Sequence, residues 1–391
     1  MVRIPDEYID REQSFLKHRV LKEYVAAWGA KLGSLARQRS VRLCYVDAFA
    51  GPWNNKNKDL KDTSIFIALE ALENALSLWT GQGLNFEIEA AFVERDSASF
   101  DELKKYLDNR QGAVRTRRFH GEFGDFVNNL REWMGTDPAF IFVDPTGWKG
   151  AAMSLIAPLM TQPRRDVLVN FMENHIVRFK NDERSFLRKQ MQEFFGLGED
   201  EMPPELEAEQ LLALYRTNLK RVCGVKLAAD LVIPFPNRER TQFRLVVGGS
   251  DPAVLKLFRD IEKKVMGLEA AEVRDAAKNR KRDGKSGQQP LLLSTAPEID
   301  AAYDALRKDG LAKSEDDIVD ALITVGETTF GELWPNILER RHITKVELGR
   351  VVWALHEKGV VIIDNVLPRQ KTANDEHRLR ATSRSPVDQE K

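Results

Sequence analysis

A chain of 391 residues has room for one large domain and a smaller one, and 42% apolar with 30% charged residues describes a soluble globular protein with a substantial core. A net charge of −1 excludes a global attraction to nucleic acid, so any basic surface must be local. Two cysteines, Cys44 and Cys223, exclude a disulfide framework or a cysteine-rich metal site within the chain. No signal peptide opens the sequence and no apolar run is long enough to span a bilayer, so the cytoplasm is the expected compartment.

The first helix is expected over 13–29, where Val20, Leu21, Tyr24, Val25 and Trp28 form an apolar stripe beside Lys17 and His18. His18 reads as a surface or half-buried helix residue; the alternative is that Lys17 and His18 overhang a site, because this helix leads into the first strand. That strand, 41–47, is an apolar run suited to burial on both faces of a parallel sheet. It ends in Asp47-Ala48-Phe49-Ala50-Gly51-Pro52-Trp53, small residues that let a ligand approach the backbone. The loop 52–61 carries Lys56, Lys58 and Lys61 and reads as either a lid or a plain solvated loop. Asp62, Thr63 and Ser64 offer N-cap oxygens to a helix over 63–79.

The second strand, 86–93, ends in Glu94-Arg95-Asp96. An acid at this place in such folds accepts two ribose hydroxyls side by side, and Glu94 fits better than Asp96 because it is nearer the strand. The short third strand, 114–119, leads to His120-Gly121-Glu122-Phe123-Gly124-Asp125, where Glu122 or Asp125 could accept from an amino group and Asp125 reads more simply as a helix cap. The fourth strand ends in Asp144-Pro145-Thr146-Gly147-Trp148, with Pro145 fixing the exit and Trp148 offering a flat face. The fifth spans 166–172. A helical insertion over 181–224 is expected above the carboxyl edge of the sheet, followed by a hairpin of strands 231–235 and 243–247 and a helix over 252–266.

Five strands, an insertion and a hairpin-like last pair suggest an α/β fold: a Rossmann-like, class I methyltransferase-type sheet with helices on both faces, its final strand antiparallel beside the fifth. The glycine pattern of dinucleotide dehydrogenases, the phosphate loop of kinases and the paired His/Cys spacing of metal sites are all missing. The sheet domain is assigned to 1–270, a flexible basic linker to 271–296, a winged helix-turn-helix to 297–370 and a disordered tail to 371–391. Helices over 315–325, 329–341 and 344–358 and a strand near 360–364 carry the winged-helix reading. Its would-be recognition helix offers Lys345 and Arg350, only mildly basic for a DNA reader, so nucleic-acid contact and protein docking stay equally open.

Lys17-His18, Val46-Asp47-Ala48-Phe49-Ala50-Gly51-Pro52, Thr63-Ser64, Asp144-Pro145-Thr146-Gly147 and the winged-helix end together resemble the three-Cys-motif partner protein family, over most of residues 10–370. That resemblance implies a class I S-adenosylmethionine-dependent methyltransferase fold, S-adenosylmethionine as cofactor, and a partner bearing a three-cysteine motif of the radical S-adenosylmethionine type. By position it implies Asp47, Phe49 and Gly51 at the methionine end of the cofactor, Glu94 on the ribose, Glu122 at the adenine edge, and Asp144, Pro145 and Trp148 at the methyl acceptor, with DNA or RNA as a further expected partner and no membrane. Two positions depart from the pattern. Trp53 stands where the family has glycine, and Thr146-Gly147-Trp148 stands where amino-methyltransferases have a second proline and an aromatic. The rivals are a degenerate scaffold that binds a partner protein, which Trp53 favours, and a DNA-binding regulator.

Overall fold

A computed structural model describes residues 4–51, 60–180, 182, 184–198, 201, 206–235, 241–286 and 299–382, with only the backbone for 278–279 and 281–286. Pro52, Trp53 and the lysines at 56 and 58 lie outside the described residues. The chain forms two compact units, Met1–Val254 with Glu272–Ser294, and Leu255–Ala271 with Thr295–Lys391.

The first unit is built on seven strands: β1 (Val41–Asp47), β2 (Phe86–Glu94), β3 (Arg115–His120), β4 (Ala139–Val143), β5 (Arg165–Phe171), β6 (Leu227–Pro234) and β7 (Thr241–Gly249). Their order is β3-β2-β1-β4-β5-β7-β6. The first five are mutually parallel, and β7 runs antiparallel between β5 and β6. This is the methyltransferase-type sheet expected from the sequence. The order reverses between β1 and β4, which places the crevice of such a sheet outside the carboxyl ends of those two strands.

Helices α1 (Glu12–Gly33), α2 (Ser64–Thr80), α3 (Ser97–Asn109), α4 (Val127–Met134), α5 (Met153–Ile156), α6 (Glu173–Phe179), α7 (Ser185–Phe195) and α8 (Ala208–Cys223) belong to the first unit. Alternation along the strands divides the core. Cys44, Val46, Ile141, Val143, Val167 and Val169 pack on one face with residues of α4, α5, α7 and α8. On the other, Phe140 of β4 stacks on Tyr24 and Tyr45, with Trp28 close by. Burying each such side chain contributes about 1.5–3 kcal/mol. Helix α1 can lie close to α2 because Gly29 has no Cβ; one added there would stand 2.7 Å from Ala75 Cβ. Gly29→Leu is therefore expected to lower the unfolding free energy by about 1–3 kcal/mol, read by chemical denaturation.

Three expectations about the first unit and its boundary are corrected. The segment 181–224 is not a cap above the carboxyl edge. Phe194, Phe195, Leu211 and Tyr215 are fully or almost fully buried and join the core of one sheet face, where Phe194 stacks on Tyr215 at 4.8 Å. The residues assigned to a flexible linker from 271 are helical through Ser286, as α10 (Ala270–Ser286). Ala270, Val273 and Ala277 are buried at helical spacing, and Arg280 pairs with Glu12. The boundary near 270 falls instead at 254/255, because α9 (Ala253–Glu262) carries Arg259, whose guanidinium Nε donates to the Leu338 carbonyl at 2.9 Å within the second unit.

The second unit has α11 (Ala301–Val325), α12 (Phe330–Arg340) and α13 (Lys345–Glu357), with short strands β8 (Glu327–Thr329), β9 (Val361–Ile363) and β10 (Arg378–Ala381). Thr329 and Thr344 each form a capping box, with Glu332 and Glu347, and so fix where α12 and α13 begin. The strand order is β8-β10-β9, antiparallel throughout. The tail assigned to disorder from 371 thus supplies the middle strand, held by fully buried Leu379; residues 383–391 lie outside the described residues.

Candidate functional site

Four chain segments leave the carboxyl ends of β1, β2, β3 and β4 and meet around one cavity of about 270 Å³. The turn after β1 is tied to both neighbouring strands: Ala48 N donates to the Phe142 carbonyl at 2.9 Å and Ala50 N to the Val93 carbonyl at 2.8 Å. Small side chains at 48 and 50 permit this closeness. The walls are Ala48 and Phe49 from that turn, Val93, Glu94 and Arg95 from the end of β2, Gly121 to Phe123 after β3, and Asp144, Thr146, Lys149 and Gly150 after β4. Gly121 has φ +149°, and a Cβ there would meet the Phe126 ring at 2.9 Å, so this turn of the wall requires glycine.

Glu94 is buried, and its side chain accepts from Asp96 N. Burial raises its pKa above the usual carboxylate value. Asp96 caps α3, accepting from Ser99 N at 2.9 Å. Glu122 is exposed at the rim, caps the following turn with Asp125, and pairs with Arg95 at 3.3 Å. Phe49 and Phe123, both on the cavity wall, pack against each other with ring centres 6.1 Å apart and planes tilted by 50°.

Asp47 does not line the cavity. It lies fully buried behind the turn, accepting from Phe49 N at 3.2 Å and from Ser64 Oγ at 2.7 Å. Burial, with a smaller contribution from Asp144, pushes its pKa up to about 7 against those two hydrogen bonds. Gly51 is not on the cavity wall either. Asp144 does line it, and both of its oxygens are engaged: Asn170 Nδ2 donates to Oδ1 at 2.6 Å and the Lys17 ammonium pairs with Oδ2. Pro145 is buried directly after it.

The structure therefore brings together Lys17, Phe49, Glu94, Glu122 and Asp144, with Asp47 one layer behind. It does not bring the others to the cavity. Trp148 is a core side chain packed against His175 at 4.9 Å and Phe179 at 6.0 Å, so it cannot offer its face to a ligand in this conformation. His18 is buried too, its Nδ1 2.8 Å from the Tyr8 hydroxyl, and desolvation lowers its pKa. It is neither at the surface nor over the site. Lys345 and Arg350 belong to the second unit; Lys345 pairs with Asp375 and sits 4.7 Å over the Trp334 ring, and Arg350 is exposed.

Arg95, Lys149 and Asn170 were not singled out from the sequence, and Ser64 was read only as a helix-cap candidate and as part of the Thr63-Ser64 motif. Only Asn170 had a signal: one amide in the otherwise apolar run Val167-Leu168-Val169-Asn170-Phe171-Met172. Among the described residues no group of three or more His, Cys, Asp or Glu could hold a metal ion, and no helix is long and apolar enough to cross a membrane.

No protein-family model matches the chain, and no curated protein matches its sequence. Among solved structures the chain is similar to protein LPL1258 from Legionella pneumophila, with 9% identity over 63% of this chain and 91% of that one and a TM-score of 0.33. It is also similar to the O-methyltransferase TomG from Streptomyces achromogenes, solved in complex with SAM, with 14% identity over 57% and 79% and a TM-score of 0.29. A SAM-dependent methyltransferase from Methanosarcina mazei aligns with 10% identity over 55% and 93% and a TM-score of 0.27.

Proposed function

We propose that the first unit is a methyltransferase-like domain that binds S-adenosylmethionine in the cavity after β1, β2, β3 and β4. The observation that carries this reading is the seven-strand order with antiparallel β7, combined with Glu94 and Asp144 on the wall of one cavity at the point where the order reverses. The donor set suits an adenosyl sulfonium. Glu94 keeps carboxylate lone pairs for a ribose diol. Phe49 and Phe123 supply apolar flanks for a base, and Arg95 with Glu122 supplies a polar rim. Asp47 stiffens the turn from behind and adds negative potential. When bound, the cofactor would supply a methyl group on a positively charged sulfur, open to a nucleophile. The protein's share is then alignment: Asp144 orients the acceptor, and Lys17 holds Asp144.

Three helices with a three-stranded antiparallel ribbon make the second unit a winged helix in this proposal, serving a nucleic acid or a protein partner with a three-cysteine motif. Nucleic acid or a nucleotide is the proposed methyl acceptor. A second reading, a scaffold that binds partners without turnover, is favoured by Trp148, whose ring is buried in the core rather than presented to an acceptor.

Calorimetric titration of the full chain with S-adenosylmethionine tests the cofactor. Micromolar binding is expected, weakened more than about tenfold in Glu94→Ala as a charge-assisted hydrogen-bond pair is lost. Absence of heat, or equal affinity in the variant, would refute it. Binding without methyl transfer to any oligonucleotide would leave the scaffold reading.

A further inference from the structure

Asp144 is gripped from two sides by elements far apart in the chain. Lys17 comes from α1 and lies 5.6 Å from the centre of the Phe243 ring on β7. Asn170 comes from the end of β5, is 3% exposed, and gives its Nδ2 to Asp144 Oδ1. The amide orientation is fixed by chemistry, since the reverse would set a carbonyl oxygen against a carboxylate. It leaves Asn170 Oδ1 buried and without a hydrogen-bond partner among the described residues. A buried amide that leaves its own oxygen unsatisfied in order to donate to one carboxylate is a costly arrangement for mere packing.

We infer that Asn170 is a positioning residue for Asp144, opposing the pull of Lys17 and holding the carboxylate edge toward the cavity. The inference rests on the cofactor reading above and extends it to the acceptor. Lys17 alone would draw the carboxylate toward α1, whereas the second hydrogen bond from β5 fixes the plane of the group. Each oxygen then keeps a lone pair. As the anion of an ion pair, Asp144 accepts and does not donate, so the group it orients must carry an N–H or O–H. That describes an amine, amide or hydroxyl acceptor, and not a carboxylate.

The test compares S-adenosylmethionine, which carries a sulfonium charge, with S-adenosylhomocysteine, which has a neutral sulfur, by calorimetry on the full chain. A carboxylate held toward the cavity favours the charged ligand over the neutral one. Asn170→Ala is expected to reduce that preference about threefold to tenfold while changing S-adenosylhomocysteine affinity little. Asn170→Leu fills the same space without a donor and should behave alike, so a folding defect in the smaller variant does not remove the test. Asn170→Ser retains a short donor and should keep part of the preference. In an Asp144→Asn background, Asn170→Ala should have no further effect. Equal weakening of both ligands by Asn170→Ala and Asn170→Leu would mean a packing role only and overturns the inference. A wild-type chain that binds neither ligand overturns the cofactor reading itself, a different result.

Discussion

Asp47→Asn is expected to make the free protein more stable at pH 8 and a poorer binder of S-adenosylmethionine. The carboxyl is fully buried and titrates near 7 in the folded chain, against an ordinary value near 4 when unfolded. Its protonated form is the one the fold prefers. The associated stability is complete below about pH 4 and is lost as pH rises through 7. The wild-type chain should lose about 4 kcal/mol of unfolding free energy between pH 4 and pH 8 from this group, an upper-range figure for a site that hydrogen-bonds its anion twice. Asp166, raised to about 7 mainly by burial despite its bond from Tyr24, contributes in the same direction. The difference between wild type and Asp47→Asn therefore isolates Asp47. A positive ligand reverses the preference, because it favours the ionised carboxylate. Affinity should climb toward pH 7 by up to about tenfold per unit and then level, and the variant should show a flat profile. Denaturation and calorimetry at pH 5, 6, 7 and 8 read both effects; parallel profiles in the two proteins would dispose of this account.

Arg259→Leu should be the most damaging single change in the second unit. The guanidinium is 1% exposed and donates to the Leu338 and Glu339 carbonyls and to Glu262 at 2.7 Å. Burial pushes the Glu262 pKa up, but His342 and Arg259 together outweigh it and hold the group below its ordinary value. Removing the arginine takes a donor from two carbonyls and leaves a buried carboxylate with less compensation, which costs about 3–5 kcal/mol. Hydrogen exchange on the full chain should show protection in α12 falling by that amount, with the first unit unaffected. Arg259→Leu combined with Glu262→Leu should recover much of the loss, because the uncompensated charge is gone too. If the double variant exchanges as fast as the single, charge compensation is not what Arg259 supplies.

The sheet was legible because its strands announce themselves. Runs such as Val41–Asp47 and Ala139–Val143 are apolar on both faces, and each is followed by residues that stop a strand. Asp144 and Glu94 could be placed at the cavity from strand ends alone. Depth was not legible: Asp47 and Asp144 occupy like positions in sequence, yet one is behind the wall and the other on it. That depends on where Ser64 and Asn170 reach, which no local pattern encodes. Trp148 and His18 were misread for the same reason, since an aromatic ring near a motif can turn inward as easily as outward. The helix through 270–286 was hidden by its basic residues, although Ala270, Val273 and Ala277 already carried the spacing.

The middle strand of the small antiparallel ribbon is the last one synthesised. Among the described residues, strands β8 and β9 pair with β10 and not with each other, so neither has a neighbour until Arg378–Ala381 arrives. On the ribosome, the three helices can gather while the ribbon waits, and the second unit closes only once Arg378–Ala381 has cleared the exit tunnel.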